Sequence, residues 1–241
     1  MTILLGGVLL AVATAPADDT ALTVGAFSAQ PPGGALPDGW RPLHFRNIDR
    51  HTRYALVRDG GQVVVQASAE ASASGLVREM TIDPREHPRL AWRWKIGNVL
   101  EKGDVSRKDG DDYPARVYVT FAYDPTRVGA WERAKYEAAK FFYGHYPPLR
   151  SINYIWESRA PVGTVVPNAY TERVRMIVLR SGAGEANRWV GEERDLVADY
   201  RAAFGEEPPT ISGIAIMTDT DNTGERATAW YGDIRFLSRA P

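Results

Sequence analysis

The sequence predicts an all-β-dominated fold, a jelly-roll-like antiparallel β-sandwich carrying two short helical insertions. Three observations point to it. Short stretches of period-two alternation recur along the chain, Gly, Pro, Asn and Asp punctuate them, and only two stretches show helical spacing. Sandwiches of this length are commonly one domain, and no linker-like tract divides the 241 residues, so residues 18–241 are expected to form a single unit.

The elements follow in order. Residues Gly33 to Gly39 are Gly- and Pro-rich and read as an entry loop. Arg53 to Arg58 and Gln62 to Ala67 flank Asp59-Gly60-Gly61, residues that tolerate positive φ, and so read as a hairpin. Leu76 to Ile82 is a further strand, stopped at Asp83-Pro84. In Leu90 to Ile96, Leu90, Trp92, Trp94 and Ile96 share one face and Ala91, Arg93 and Lys95 the other. Arg116 to Tyr123 alternates likewise, with Val117, Val119, Phe121 and Tyr123 opposite Arg116, Tyr118, Thr120 and Ala122.

Ile152 to Ser158 sets Ile152, Tyr154 and Trp156 against Asn153, Ile155 and Glu157. Val174 to Leu179 and Ile211 to Thr218 are apolar on both faces and are expected to lie centrally. Thr228 to Phe236 closes the domain, with Trp230, Ile234 and Phe236 opposite Tyr231, Asp233 and Arg235. The two helices are expected over Trp131 to Tyr143 and Glu192 to Phe204, each packed on the sandwich by an apolar stripe: Trp131, Ala134, Ala138 and Phe142 in the first, Leu196, Val197, Tyr200 and Phe204 in the second.

Composition excludes several functions. A net charge of −1 argues against general nucleic-acid binding, which needs a basic footprint. The absence of cysteine removes disulfides, thiolate metal sites and cysteine nucleophiles. The apolar run Ile3 to Val12, followed by Ala13-Thr14-Ala15, reads as a signal peptide over residues 1–17. It is too short to span a bilayer, and no other stretch is long and apolar enough to be transmembrane. A periplasmic or secreted protein is expected. There is no GxGxxG, P-loop, HExxH or GxSxG, and His44, His51, His87 and His145 lack metal-ligand spacing.

Four constellations remain, each with a plain structural reading beside the functional one. With the aromatic faces inward, Arg93, Lys95, Arg116, Tyr118, Asn153 and Glu157 project together as a ligand-binding face, or simply meet water or a helix. The segment Asn98 to Ala115 carries Glu101, Asp104, Asp109, Asp111 and Asp112, long enough to be functional or else a solvated charged loop. Its acids suit calcium, sugar hydroxyls or Arg116. The run Asp219-Thr220-Asp221-Asn222-Thr223-Gly224-Glu225 opens like an EF-hand loop, but position twelve is Trp230, so Asp219 and Asp221 are candidate Ca2+ ligands in what is otherwise a capped turn. Glu157, between Trp156 and Ser158-Arg159, is a candidate catalytic acid or one half of an ion pair with Arg159 or Arg175.

The segments Leu36-Pro37-Asp38-Gly39-Trp40, Ser72 to Leu76, Trp92 to Lys95, Gly110 to Arg116, Trp156-Glu157-Ser158, Met217 to Gly224 and Tyr231 to Ile234 together resemble a bacterial exported family, domain of unknown function 3047. That family carries no established activity, so the resemblance assigns no catalytic residue. More remotely, the closing Gly232-Asp233-Ile234-Arg235-Phe236 is similar to strands of galactose-binding-like jelly rolls and carbohydrate-binding modules, which implies glycan binding, sometimes with structural calcium.

The leading expectation is therefore an exported module that binds a saccharide or acidic polysaccharide through Arg93, Lys95, Arg116, Tyr118 and Glu157, with Asp111 and Asp112 at the rim. It requires no cofactor, and its acidic runs suit Ca2+. The alternatives are a glycoside hydrolase or polysaccharide lyase using Glu157 with a second carboxylate, and a non-catalytic structural envelope protein. Oligomeric state is left open.

Overall fold

The structure is a computed structural model that describes residues 21–33, 36–143 and 146–238, without the side chains of residues 142 and 143. The expected signal peptide, residues 1–17, lies outside the described residues, as does His145. Along the chain run β1 (Leu22–Gly25), β2 (Arg41–Leu43), β3 (Arg53–Asp59), β4 (Gln62–Glu70), β5 (Ala73–Ile82), β6 (Arg89–Ile96) and β7 (Ala115–Phe121). Then come α1 (Ala130–Tyr143), β8 (Arg150–Glu157), β9 (Val165–Asn168), β10 (Thr171–Ser181), β11 (Val190–Asp195) and α2 (Leu196–Phe204). The chain closes with β12 (Ile211–Asp219), β13 (Arg226–Tyr231) and β14 (Ile234–Leu237).

These strands form two seven-stranded sheets stacked as the expected sandwich. The second sheet runs β2-β5-β12-β7-β8-β10-β9. In the first, β3, β4 and β13 lead to β6, β14 continues along the same edge of β6 with β1 beyond it, and β11 takes the other edge. The β3–β4 turn is the two-residue hairpin that Gly60 and Gly61 permit, with φ of 57° and 82° and Asp59 paired with Gln62. The sheets are antiparallel except where β10 runs parallel to β8.

The alternating faces explain the core. Trp92 and Trp94 of β6 meet Tyr154 and Trp156 of β8 across the sandwich, with ring centroids 5.3 and 5.9 Å apart. Each such side chain contributes about 1.5–3 kcal/mol by burial, provided its polar tip is paired. Three of the four have such partners: Trp94 Nε1 donates to Glu192, Trp156 Nε1 to the Gly182 carbonyl and Tyr154 Oη to Asp199, whereas Trp92 Nε1 is buried without one.

Three expectations need correction. The closing strand is broken, because Tyr231 pairs with Trp94 and Arg235 with Ala91, four residues against three. The extra residue at Gly232-Asp233 flips the alternation, so Tyr231 is buried with Ile234 and Phe236 while Trp230 turns outward. The second helix begins only at Leu196: Val190–Asp195 pairs with β6 as a strand, and Asp195 caps α2 by accepting the Ala198 N–H at 2.9 Å. In α1 the described members of the expected apolar stripe, Trp131, Ala134 and Ala138, are exposed. Trp131 is 74% exposed, and the helix is anchored by Tyr136, stacked on Tyr123 at 4.0 Å and bonded by Arg173. No helix among the described residues is long and apolar enough to cross a membrane.

Candidate functional site: a groove with an acidic corner

The outer face of the second sheet is divided in two. Over β8 and β10 it is covered by the segment between β6 and β7, whose Val105 and Tyr113 pack on Ile155, Met176 and Val178. That is why β8 and the middle of β10 are buried on both faces, although β8 carries Asn153 and Glu157 on the covered one. The cover is tied down by backbone bonds. Val105 N–H donates to Glu157 Oε1 at 3.1 Å, Leu100 N–H to Ser158 Oγ at 3.3 Å, and the N–H groups of Glu101 and Lys102 to the Glu225 carboxylate at 2.9 Å. The long acidic segment is thus built into the structure.

Over β5, β12 and β7 the same face is open. The outward residues of β12 that pair with Thr120 and Tyr118 are Gly213 and Ala215, too small to fill the space, and a groove of about 880 Å³ lies above them. At Phe45 and Tyr118 it joins a recess of about 350 Å³ reaching Asn168, Tyr170, Asp221 and Asn222.

The recess is where β7 begins and β12 ends. Because the two strands are antiparallel neighbours, the residues just before β7 and just after β12 arrive at one corner. Arg116 is 4% exposed and Asp219 1%. Arg116 Nε donates to Asp219 Oδ1 at 2.8 Å, and its Nη2 pairs with the other carboxylate oxygen. Nη2 also reaches the Asp111 carbonyl at 3.1 Å and Nη1 the Tyr118 hydroxyl at 3.1 Å. Burial opposes the Arg116 charge, but Tyr118, Asp111, Tyr113 and Asp112 outweigh it and raise the guanidinium pKa above its ordinary value.

The acids are held individually. Asp111 accepts from Tyr113 Oη at 2.9 Å and from Asn168 Nδ2 at 3.0 Å. Asp112 Oδ2 accepts the Thr223 N–H at 2.6 Å, while its Oδ1 is buried with no hydrogen-bond partner. One oxygen each from Asp112, Asp219 and Asp221 lies within 4.8 Å of the others. Burial, then the neighbouring Asp112, pushes the Asp221 carboxyl up from its ordinary value. Burial, then Asp111, pushes the Tyr113 phenol far up. The sandwich supports the corner from below, where Tyr231 Oη donates to the Met217 carbonyl at 2.6 Å and accepts the Arg116 N–H at 3.3 Å.

The structure brings Arg116, Tyr118, Asp111, Asp112, Asp219 and Asp221 together, and leaves Arg93, Lys95 and Glu157 elsewhere. β6 and β7 belong to different sheets, so their outward faces point to opposite sides of the molecule. Arg93 and Lys95 therefore lie on the far surface. Arg93 stacks 4.3 Å from the Trp189 ring and Lys95 4.2 Å from Trp230, with Lys95 Nζ 2.5 Å from Asp59. Glu157 is 1% exposed beneath the covering segment, where it accepts the N–H groups of Val105, Arg159 and Ala160. It makes none of the expected guanidinium pairs; the Arg175 side chain goes to Glu172 and the Ala203 carbonyl. Asp111 and Asp112, expected at a rim, are buried in the corner. Sequence reasoning missed Phe45, Asn168, Tyr170 and Asn222, which come from short loops and the edge strand β9 and carry no periodic signal.

A β-sandwich with one face half covered and half open as a groove is the class that fold and site define. The chain belongs to the family described as "Protein of unknown function (DUF3047)", matched over residues 38–235. No curated protein matches it in sequence. Among solved structures it is similar to the family 11 carbohydrate-binding module of the cellulosomal cellulase Lic26A-Cel5E of Clostridium thermocellum, at 10% identity and a TM-score of 0.40 over 90% of this chain and 94% of that one. It is also similar to the family 30 carbohydrate-binding module of the cellulosomal cellulase Cel9D-Cel44B of Clostridium thermocellum, at 12% identity and a TM-score of 0.39 over 91% and 99%. An exo-beta-agarase is similar at 12% identity and a TM-score of 0.35, over 91% of this chain and 25% of that one.

Proposed function

We propose that this is an exported, periplasmic or secreted, saccharide-binding module whose ligand lies in the groove of the second sheet. The observation that carries this reading is Tyr118. Its ring sits in the groove floor beside Gly213 and Ala215, and its hydroxyl is fixed by Arg116. A sugar presents an apolar face and a hydroxyl edge together, and so suits an aromatic floor flanked by a few placed polar groups. Asn168, Asn222 and Asp221 supply that edge at the recess, and Phe45 an apolar wall. The groove volume falls in the range of roughly 300–1,000 Å³ common for small-ligand sites.

The charge balance favours a neutral saccharide over an acidic one. Arg116 is paired with Asp219, Arg41 on the groove wall is paired with Glu79, and the recess carries further carboxylates. Binding without cleavage is the reading that fits Glu157, whose oxygens are engaged by backbone N–H groups under the covering segment.

The test is a glycan array and titration calorimetry on residues 18–241, comparing neutral with uronic-acid oligosaccharides, with Tyr118→Ala beside the parent. Binding to a neutral glycan, weakened by that substitution, supports the proposal. A parent silent on every glycan, or binding indifferent to Tyr118, overturns it.

A further inference from the structure

The corner beside the groove has an electrostatic imbalance that the saccharide reading does not use. Four carboxylates, those of Asp111, Asp112, Asp219 and Asp221, converge on Arg116, and Asp112 and Asp219 are each 1% exposed. Lys102 sits close by, but its Nζ goes to the Thr223 carbonyl at 3.0 Å. Buried anionic charge at this density needs a counter-charge. Asp111 has protein partners, whereas Asp112 ends in an orphaned oxygen: its Oδ1 is fully buried with no hydrogen-bond partner.

We propose that Asp112, Asp219 and Asp221 hold a divalent metal ion, with Ca2+ the favoured occupant. Hard cations select carboxylate oxygens, and Ca2+ takes six to eight of them at about 2.3–2.6 Å, so oxygens on opposite sides of the ion stand about 5 Å apart. The three carboxylates offer one oxygen each within 4.8 Å of one another. Mg2+, with bonds of about 2.0–2.1 Å, demands a tighter octahedron. Arg116 serves as an outer partner, gripping Asp219 through Nε and Nη2 and so fixing the orientation of that ligand. The Thr223 N–H does the same for Asp112. Asp221 lines the recess, which gives the ion a path in and leaves room for water to complete its shell. The site draws its ligands from both sides of the corner, which explains why the Asp219 to Gly224 run serves it without a complete EF-hand loop.

The inference concerns the ion alone and does not rest on the saccharide reading. The experiment strips the protein with a chelator, titrates it with CaCl2 by calorimetry, and records melting curves in chelator and in millimolar Ca2+. One ion per chain and a melting temperature raised by Ca2+ are expected, with weaker binding of Mg2+. Asp221→Asn, at the one ligand of the three that is not fully buried, is expected to keep the native circular dichroism and to lower Ca2+ affinity by on the order of 10-fold or more. Absence of both heat and melting shift in the parent overturns the proposal. So does Ca2+ binding that persists undiminished in both Asp221→Asn and Asp112→Asn.

Discussion

Arg116 and Asp219 form an ion pair that is closed to water, with the guanidinium Nε 2.8 Å from Oδ1 and Nη2 on the second oxygen. Every nitrogen of the guanidinium has a partner, and Asp219 Oδ1 also accepts the Tyr113 N–H at 3.2 Å. The pair joins the first residues of β7 to the last of β12. In the metal-free protein, removing Arg116 leaves the buried Asp219 carboxylate among Asp112 and Asp221 without its cation. Arg116→Met is therefore expected to cost about 3–5 kcal/mol in urea unfolding with chelator present. Adding Asp219→Asn is expected to recover part of the loss, because the orphaned charge goes too. A single mutant as stable as the parent contradicts a closed pair.

Glu157 is expected to be a structural clasp. Its two oxygens accept from three backbone N–H groups, of Val105, Arg159 and Ala160, under the segment that precedes β7. In Glu157→Gln the amide nitrogen must face at least one of those donors. The expected cost is about 1–3 kcal/mol, with faster amide exchange around Val105 and unchanged ligand binding at the groove. Full stability together with lost ligand binding would return Glu157 to a functional role.

The core strands were legible in the sequence because the core is built from alternation, and Trp92, Trp94, Tyr154 and Trp156 all stand where period two puts them, whereas the short strands β1, β2, β9 and β11 lacked a pattern long enough to read. What alternation does not reveal is which sheet a strand joins. Arg93 and Arg116 have the same local pattern, yet β6 and β7 lie in opposite sheets, so one expected face became two. A one-residue bulge at Gly232-Asp233 likewise exchanged Trp230 and Tyr231. An ideal Cβ on Gly232 would lie 2.5 Å from Arg93 Cγ, so the absence of a side chain there follows from a close approach invisible to a linear reading. The corner was half legible. Asp111, Asp112, Asp219 and Asp221 announced themselves as acidic runs, but their meeting depends on the β7–β12 pairing.

Arg93 and Lys95 are expected to contribute to stability and not to ligand binding. Each lies against an indole ring on the outer face of the first sheet, Arg93 also bonding Gln62 and Lys95 bonding Asp59. Replacing both by Ala removes three cation–π contacts, Arg93 with Trp189 and Lys95 with Trp189 and Trp230, each worth about 0.5–1 kcal/mol at partly exposed sites. Glycan affinity measured by calorimetry is expected to match the parent. A large loss of affinity would move the binding surface to the first sheet.

Asp59 gives that same patch a pH dependence. The hydrogen bond from Lys95, followed by that from Trp189, holds its carboxyl below the ordinary range. A carboxylate with a depressed folded pKa adds stability above its unfolded value of about 3.9. That stability is lost as pH falls through the lower folded value. The pair is only partly exposed, at 12% and 27% for the two side chains, and its contribution is on the order of 1 kcal/mol. Asp59→Asn is thus expected to melt below the parent by a constant margin from neutral pH down to about 5, with the margin closing as the pH drops past about 4. Melting curves of the two proteins across that range are the check. A margin that is absent at neutral pH, or that widens in acid, would show that the Lys95 and Trp189 bonds do not hold the ionised form.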